Sequence, residues 1–203
     1  MFEYLDDGDT QYVSFNCGWI QLQDPSRIEQ FLVEMAPSKI NDSMGFKWIS
    51  VYNPSKAENY EIPNVSALRQ EYQQLRQLNL FQIERLARKY NVLSGKWMCF
   101  VPTSHVDYVW SCIARAVVQG RLGYLAKVAV SQRGGSVIHV ICVYTNNYLD
   151  SVERKIIKYE LKNILIEANT NVRRLSYKPD IYTHLGIYQN HPVFSETIDW
   201  IRW

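Results

Sequence analysis

The chain lacks the features that would announce a function outright. Its four cysteines, Cys17, Cys99, Cys112 and Cys142, are scattered, and none lies within four residues of another. That spacing excludes the paired thiols of a zinc site. The four histidines, His105, His139, His184 and His191, show no metal-ligand spacing either. No twenty-residue apolar run and no leader-like N-terminus is present, so neither a membrane span nor a secretory signal is expected. The formal net charge is only +2, so no global basic field points to nucleic acid, and such a role needs a local patch. There is no internal repeat, no low-complexity segment and no interdomain linker. The paired glycines Gly134 and Gly135 lack the Lys-Ser/Thr pair and the helix of a phosphate loop. No nucleophile, base and orienting group fall at a recognisable spacing, and no cofactor is called for.

What is present is apolar and aromatic. Of 203 residues, 47% are hydrophobic and 13% aromatic, with 14 Tyr and 6 Trp. Such a chain buries a sizeable core and is not disordered. Rings beyond the needs of a core are suited to binding, with an apolar body and a polar tip. Cys99 and Cys142 fall in strand patterns and Cys112 in a helical one, which favours free thiols in a reducing compartment. The expectation is a soluble intracellular protein of the cytoplasm or the nucleus.

The best-patterned stretch runs from Ser94 to Thr145. Lys96–Val101 reads as a strand after a Ser-Gly break. Thr103 or Ser104 is the expected cap of a helix bearing Val106, Val109, Trp110, Ile113, Ala116 and Val117 at helical spacing. Tyr124–Ser131 and Val137–Thr145 read as two strands, with Gly134 and Gly135 as their hairpin turn. Upstream, the first ten residues are acidic and expected to be loosely held. Tyr12–Leu22 reads as an edge strand weakened by Gly18. Asp24-Pro25-Ser26 opens a helix that Pro37 stops. Phe46–Tyr52 is a strand with Phe46, Trp48 and Ser50 on one face, followed by a polar loop to Pro63. Helices are expected over 64–78 and 80–90. Downstream, Asn147 or Asp150 caps a helix to Ala168, with Val152, Ile156, Leu161, Ile164 and Ala168 as its apolar face. Arg154, Lys158 and Lys162 form a basic stripe on another face, most simply a solvated one. Val172–Tyr177 is a last short strand, and the tail is ambiguous. The chain divides into a strand-helix extension (1–45), a core (46–188) and a tail (189–203) of one domain.

Four basic residues stand out because they lie in or beside strands: Lys96, Lys127, Arg133 and Lys178. On one face of a sheet they make an anion site; singly, each is a surface cation snorkelling over the sheet. Trp97 and Trp110 occupy apolar-patterned positions and read as core. Tyr52, Tyr60 and Tyr182 are the candidates for stacking on a base. Basic residues interleaved with rings are what RNA or a nucleotide requires, charges for phosphates and rings for bases. His139 reads as a hydrogen-bonded sheet residue. His105 and Asp107 read as helix-start residues.

Several segments resemble the basophilic leukaemia-expressed protein family: Val92–Trp97 (VLSGKW), Ile113–Leu122 (IARAVVQGRL), Ala126–Val128, Ile141–Thr145 and Tyr177–Tyr188 (YKPDIYTHLGIY), with Trp48–Tyr52 a weaker match. The resemblance implies an α+β fold similar to the mRNA cap-binding translation initiation factor, a curved antiparallel sheet backed by helices on one face. It further implies that Lys96, with Lys127 and Arg133, holds phosphates. Where the factor carries its base-sandwiching tryptophans, this chain has Tyr52 and Tyr60 in one segment and Arg85, Leu86 and Ala87 in the other. The expected function is therefore a non-catalytic module binding RNA or a nucleotide phosphate on the concave sheet face, without a complete cap sandwich. The alternative is a protein-interaction adaptor docking through helices 64–90 and 150–168. A third reading, an enzyme acting on RNA ends or nucleotides, rests on Asp180, Tyr182 and His184.

Overall fold

The computed structural model describes the backbone of residues 12–15 and residues 18–58, 62–75, 78–131, 137–170, 172, 174–188, 190–192, 194–195 and 197–202. Arg133, Tyr60, the Gly134-Gly135 turn and the first ten residues lie outside the described residues.

The fold is α+β. Among the described residues eight strands form one curved open sheet: β1 (Tyr12–Phe15), β2 (Trp19–Leu22), β3 (Trp48–Tyr52), β4 (Gly95–Pro102), β5 (Leu125–Ala129), β6 (Ile138–Thr145), β7 (Arg174–Pro179) and β8 (Asp199–Arg202). Their order is β1-β2-β3-β5-β6-β4-β7-β8. Among the described residues six α-helices accompany them: α1 (Ile28–Glu34), α2 (Val65–Gln73), α3 (Leu80–Lys89), α4 (Thr103–Val118), α5 (Ser151–Glu167) and α6 (Asp180–His184). Both the first 45 residues and the tail contribute strands to this sheet.

The sheet is antiparallel except between β2 and β3, where Trp19 lies opposite Trp48 in a parallel pair. The parallel pairing is possible because the connection is long enough to cross over, carrying α1 on the way. What reads in sequence as one strand over 12–22 is a hairpin, β1 and β2, broken at Gly18 with φ +78. The positive φ is the reason glycine stands there.

Strands β4 and β5 alternate strictly in burial, and β6 is buried on both faces from Ile141 to Thr145. Trp97, Cys99 and Val101 of β4 are buried under the helices, and so are Ala126 and Val128 of β5 and Ile141 and Val143 of β6. They join Val106, Val109, Trp110, Ile113 and Val117 of α4 in one core. Trp97 also donates its indole N–H to the Arg154 carbonyl of α5 at 3.0 Å. His139, on the same strand face, is buried and held between the Ala129 carbonyl (2.8 Å) and Thr103 Oγ1 (3.1 Å), as a sheet histidine.

Two local expectations are corrected. Neither Thr103 nor Ser104 caps α4: Pro102 holds the cap position without a side-chain bond, and Thr103 donates instead to the Val137 carbonyl. Asp107 does not serve the helix start but accepts from the backbone N–H (2.9 Å) and hydroxyl (2.5 Å) of Ser38, tying α4 to the turn after α1. The expected face of α5 is also corrected. Ile157, Leu161, Ile164 and Leu165 point into the core, while Val152 and Ile156 face solvent. Arg154 and Lys158 are not a solvated stripe: Arg154 bonds the Tyr148 carbonyl, and Lys158 pairs with Asp199 at 3.3 Å.

Candidate functional site

The sheet face opposite the helices is where the strand-borne lysines meet. By strand parity Trp19 and Gln21 of β2, Trp48, Ser50 and Tyr52 of β3, Lys127 of β5, Cys142 and Tyr144 of β6, Lys96 and Met98 of β4, and Lys178 of β7 share this face. The register confirms it, pairing Ser50 with Lys127, Lys127 with Cys142, Lys96 with Tyr144 and Lys96 with Lys178.

Lys127 is the centre. Its ammonium lies 4.1 Å from the Trp19 ring centroid and 4.0 Å from that of Trp48, with Tyr144 a third wall at 5.7 Å. The two indoles are 6.2 Å apart and tilted by 49°. The ring faces carry the negative end of the aromatic quadrupole, so a cation between two of them is stabilised by about 0.5–2 kcal/mol. The geometry follows from the parallel β2–β3 pair, which sets Trp19 beside Trp48, and from β5, which delivers Lys127 one residue pair further along.

Lys96 and Lys178 are direct cross-strand neighbours, an arrangement of like charges that is unfavourable unless each is compensated. Lys96 is compensated by Asp180, the first residue of α6, whose other oxygen accepts from the Ser94 hydroxyl at 2.6 Å. Lys96 also sits 5.4 Å from the Tyr144 centroid. Lys178 is buried, its ammonium 4.0 Å from the centroid of Tyr188. The segment after α6 therefore covers the β7 end of the face, leaving Lys127 and Lys96 as its more accessible cations.

The tyrosines on and beside this face form a chain of ring contacts, Tyr52 edge-on to Tyr124 and Tyr124 tilted against Tyr144, each 6.3 Å between centroids. Burial pushes the Tyr144 and Tyr124 hydroxyls well above the usual phenol range, so both stay neutral beside the lysines. Burial also pushes the Cys142 thiol up to about 11, against the opposing pull of Lys127 and Lys96. Cys142 is thus an apolar floor to the face and not a nucleophile.

Of the residues singled out in sequence, Lys96, Lys127, Lys178 and Tyr52 are brought to one face. Tyr182 is not: it is buried, packed on Phe194 at 6.2 Å, and lines a cavity of roughly 740 Å³ with Leu78, Leu80, Phe81 and Ile198. Trp97 and Trp110 are fully buried on the helix side. The residues that sequence reasoning missed are Trp19, Trp48 as a site residue, Tyr144 and Tyr188. The signal for Trp48 was its alternation with Ser50 and Tyr52. For Trp19 there was only its alternation with Gln21, which does not reveal a partner thirty residues away.

Asp180, Tyr182 and His184 all lie on α6. Asp180 is tied to Lys96 and Ser94, and Tyr182 is buried. Desolvation holds the His184 imidazole below its usual range, against the nearby Asp180. Among the described residues no set of three or more His, Cys, Asp or Glu side chains is placed to hold a metal ion. Among them no helix is long and apolar enough to cross a membrane.

Comparison with solved structures gives a match to the complex of C. elegans eIF4E-3 with the 4E-binding protein Mextli and a cap analog. It has 22% identity and a TM-score of 0.38, over 46% of this chain and 54% of that one. The family described as basophilic leukemia-expressed protein Bles03 matches residues 63–186, which hold β4 to β7 and the lysines Lys96, Lys127 and Lys178. With well over half of its length matched, this chain belongs to that family.

Proposed function

We propose that the protein is a non-catalytic binding module that takes RNA or a nucleotide phosphate on the sheet face opposite its helices. The observation that carries this reading is Lys127 held between Trp19 and Trp48, with Lys96 and Tyr144 beside it on the same face. Lys127 and Lys96 supply positive charge for phosphate, and Arg133, in the segment between β5 and β6, is the further cation assigned from sequence. Trp48, Trp19 and Tyr52 supply ring faces for bases, each stacked base being worth about 1–3 kcal/mol; Tyr60 is the further ring assigned from sequence. Lys178 contributes field more than contact, because Tyr188 covers it.

The test is a fluorescence anisotropy titration of short single-stranded RNA, capped and uncapped, at several salt concentrations. The wild-type chain is expected to bind with a negative salt slope. Lys127→Ala should weaken binding and reduce that slope by about one, and Trp48→Ala should weaken binding with the slope unchanged. The RNA should be recovered intact. No salt-dependent binding, or binding indifferent to both substitutions, overturns the reading.

A second reading, an adaptor that docks proteins through its helical layer, is favoured by one observation: Leu80 and Phe81 on α3 and a row of apolar residues on α5 are exposed.

A further inference from the structure

Helix α5 carries two apolar stripes on opposite sides. One, Ile157, Leu161, Ile164 and Leu165, packs into the core. The other faces solvent: Val152, Ile156, Tyr159 and Ile166 are 63, 59, 60 and 50% exposed. A helix on the surface of a globular domain normally needs one such stripe, so the second is unexplained by the fold.

The outer stripe has the spacing of a helix-pairing seam. Val152, Ile156, Tyr159, Asn163 and Ile166 follow one another at intervals of four, three, four and three residues, a heptad with Ile156 and Asn163 at a and the other three at d. The flanks are charged with opposite sign. The e positions are Glu153, Glu160 and Glu167, and the g positions are Lys155 and Lys162. The positions left over, b, c and f, contain all four core-facing residues, so the heptad and the fold make no competing demands.

We propose that α5 is a self-association surface whose occupant is α5 of a second copy of this chain, in parallel orientation. Charge complementarity sets both partner and direction. In a parallel pair each g residue meets the e residue five positions on in the other helix, so Lys155 meets Glu160 and Lys162 meets Glu167 of the second copy. In an antiparallel pair g meets g and e meets e, which places lysine on lysine and glutamate on glutamate. Asn163 at a matches Asn163 at a only in the parallel register, where a buried amide pair fixes two-strandedness at some expense of stability. Ile156, β-branched at a, also favours two strands. Glu160 already accepts from Arg121 through Oε1, and its Oε2 is the atom Lys155 would use. The seam spans about 21 Å of helix, so the interface is small and its affinity in the micromolar range. Because the seam lies across the sheet from the lysine face, the inference stands independently of RNA binding.

Sedimentation equilibrium of the full chain tests this. The expected result is a monomer–dimer equilibrium with a Kd on the order of 10 μM. Ile156→Glu and the Lys155→Glu/Lys162→Glu double variant should each weaken it ~30-fold or more. Ile156 is a solvent-facing position, so circular dichroism and Tm of Ile156→Glu should match the unsubstituted chain. Asn163→Cys should cross-link to itself under mild oxidation above the background of the unsubstituted chain. A monomer up to about 1 mM, or a dimer indifferent to both variants, overturns the proposal. Cross-linking found only between Asn163→Cys and Tyr159→Cys chains, an a position against a d position, would show antiparallel pairing and overturn the parallel arrangement.

Discussion

The two sides of β4 carry the same kinds of side chain to opposite ends. On the helix side Trp97 is fully buried, its N–H bonded to a carbonyl of α5. On the other side Lys96 is held by a carboxylate and a ring, and Phe100 two pairs along is 54% exposed. Tryptophan appears on both sides of the sheet, as packing at Trp97 and Trp110 and as the walls around a cation at Trp19 and Trp48. Residue type therefore does not separate core from site here, and neither does a nearby cation, since Lys158 lies 5.4 Å from the Trp97 ring centroid; what separates them is whether helices close the face. A side closed by helices holds the fold together, and a side lined by lysines and rings is the one proposed to take an anion.

The strongest way to break this comparison is to truncate both sides. Trp97→Ala should cost ~3–5 kcal/mol in denaturant unfolding, through lost burial and the cavity left behind. Phe100→Ala should change stability by no more than ~0.5 kcal/mol, as exposed positions do. Equal costs would erase the distinction between the sides.

Gly123 sharpens it from the edge. A Cβ there would overlap the backbone carbonyl oxygen of Tyr144, which cannot move without disturbing β6. Gly123→Ala should therefore cost ~1–3 kcal/mol, read as a lowered denaturation midpoint.

The thiols report burial without a substitution. Burial pushes Cys99 up to about 12 and Cys142 up to about 11. At pH 8 both should resist iodoacetamide in the native protein and react once it is unfolded, as mass spectrometry of the alkylated peptides will show.

The smallest effect belongs to His184. Desolvation lowers its folded pKa below the usual imidazole value of about 6.5, so the unfolded chain takes up the proton first. Stability from this group is present above pH ~6.5 and is lost as pH falls from there through the folded pKa. His184→Gln should flatten that part of the stability–pH curve.

Much of this was legible in the chain, for physical reasons that also mark where legibility ends. β4, α4, β5 and β6 have local periodicity strong enough to fix type and order, and the lysines at alternating strand positions fixed a shared face. The expected strand over 12–22 split because Gly18 turns where an ordinary residue would strain. Its parallel partner β3 lies beyond a whole helix, and no local pattern encodes such a pairing. Trp19 was missed for that reason, and with it the cage around Lys127. On α5 the sequence offers Ile156 and Ile157 side by side. Periodicity alone does not say which turns inward, because the helix has two apolar stripes and only packing chooses between them.

The most direct measurement of the central claim uses the tryptophan indoles as reporters from the two sides. In ¹⁵N–¹H spectra, short single-stranded RNA should shift the Trp19 and Trp48 indole signals and leave those of Trp97 and Trp110 in place. Shifts confined to Trp97 and Trp110, or an unchanged spectrum at saturating RNA, would contradict the account.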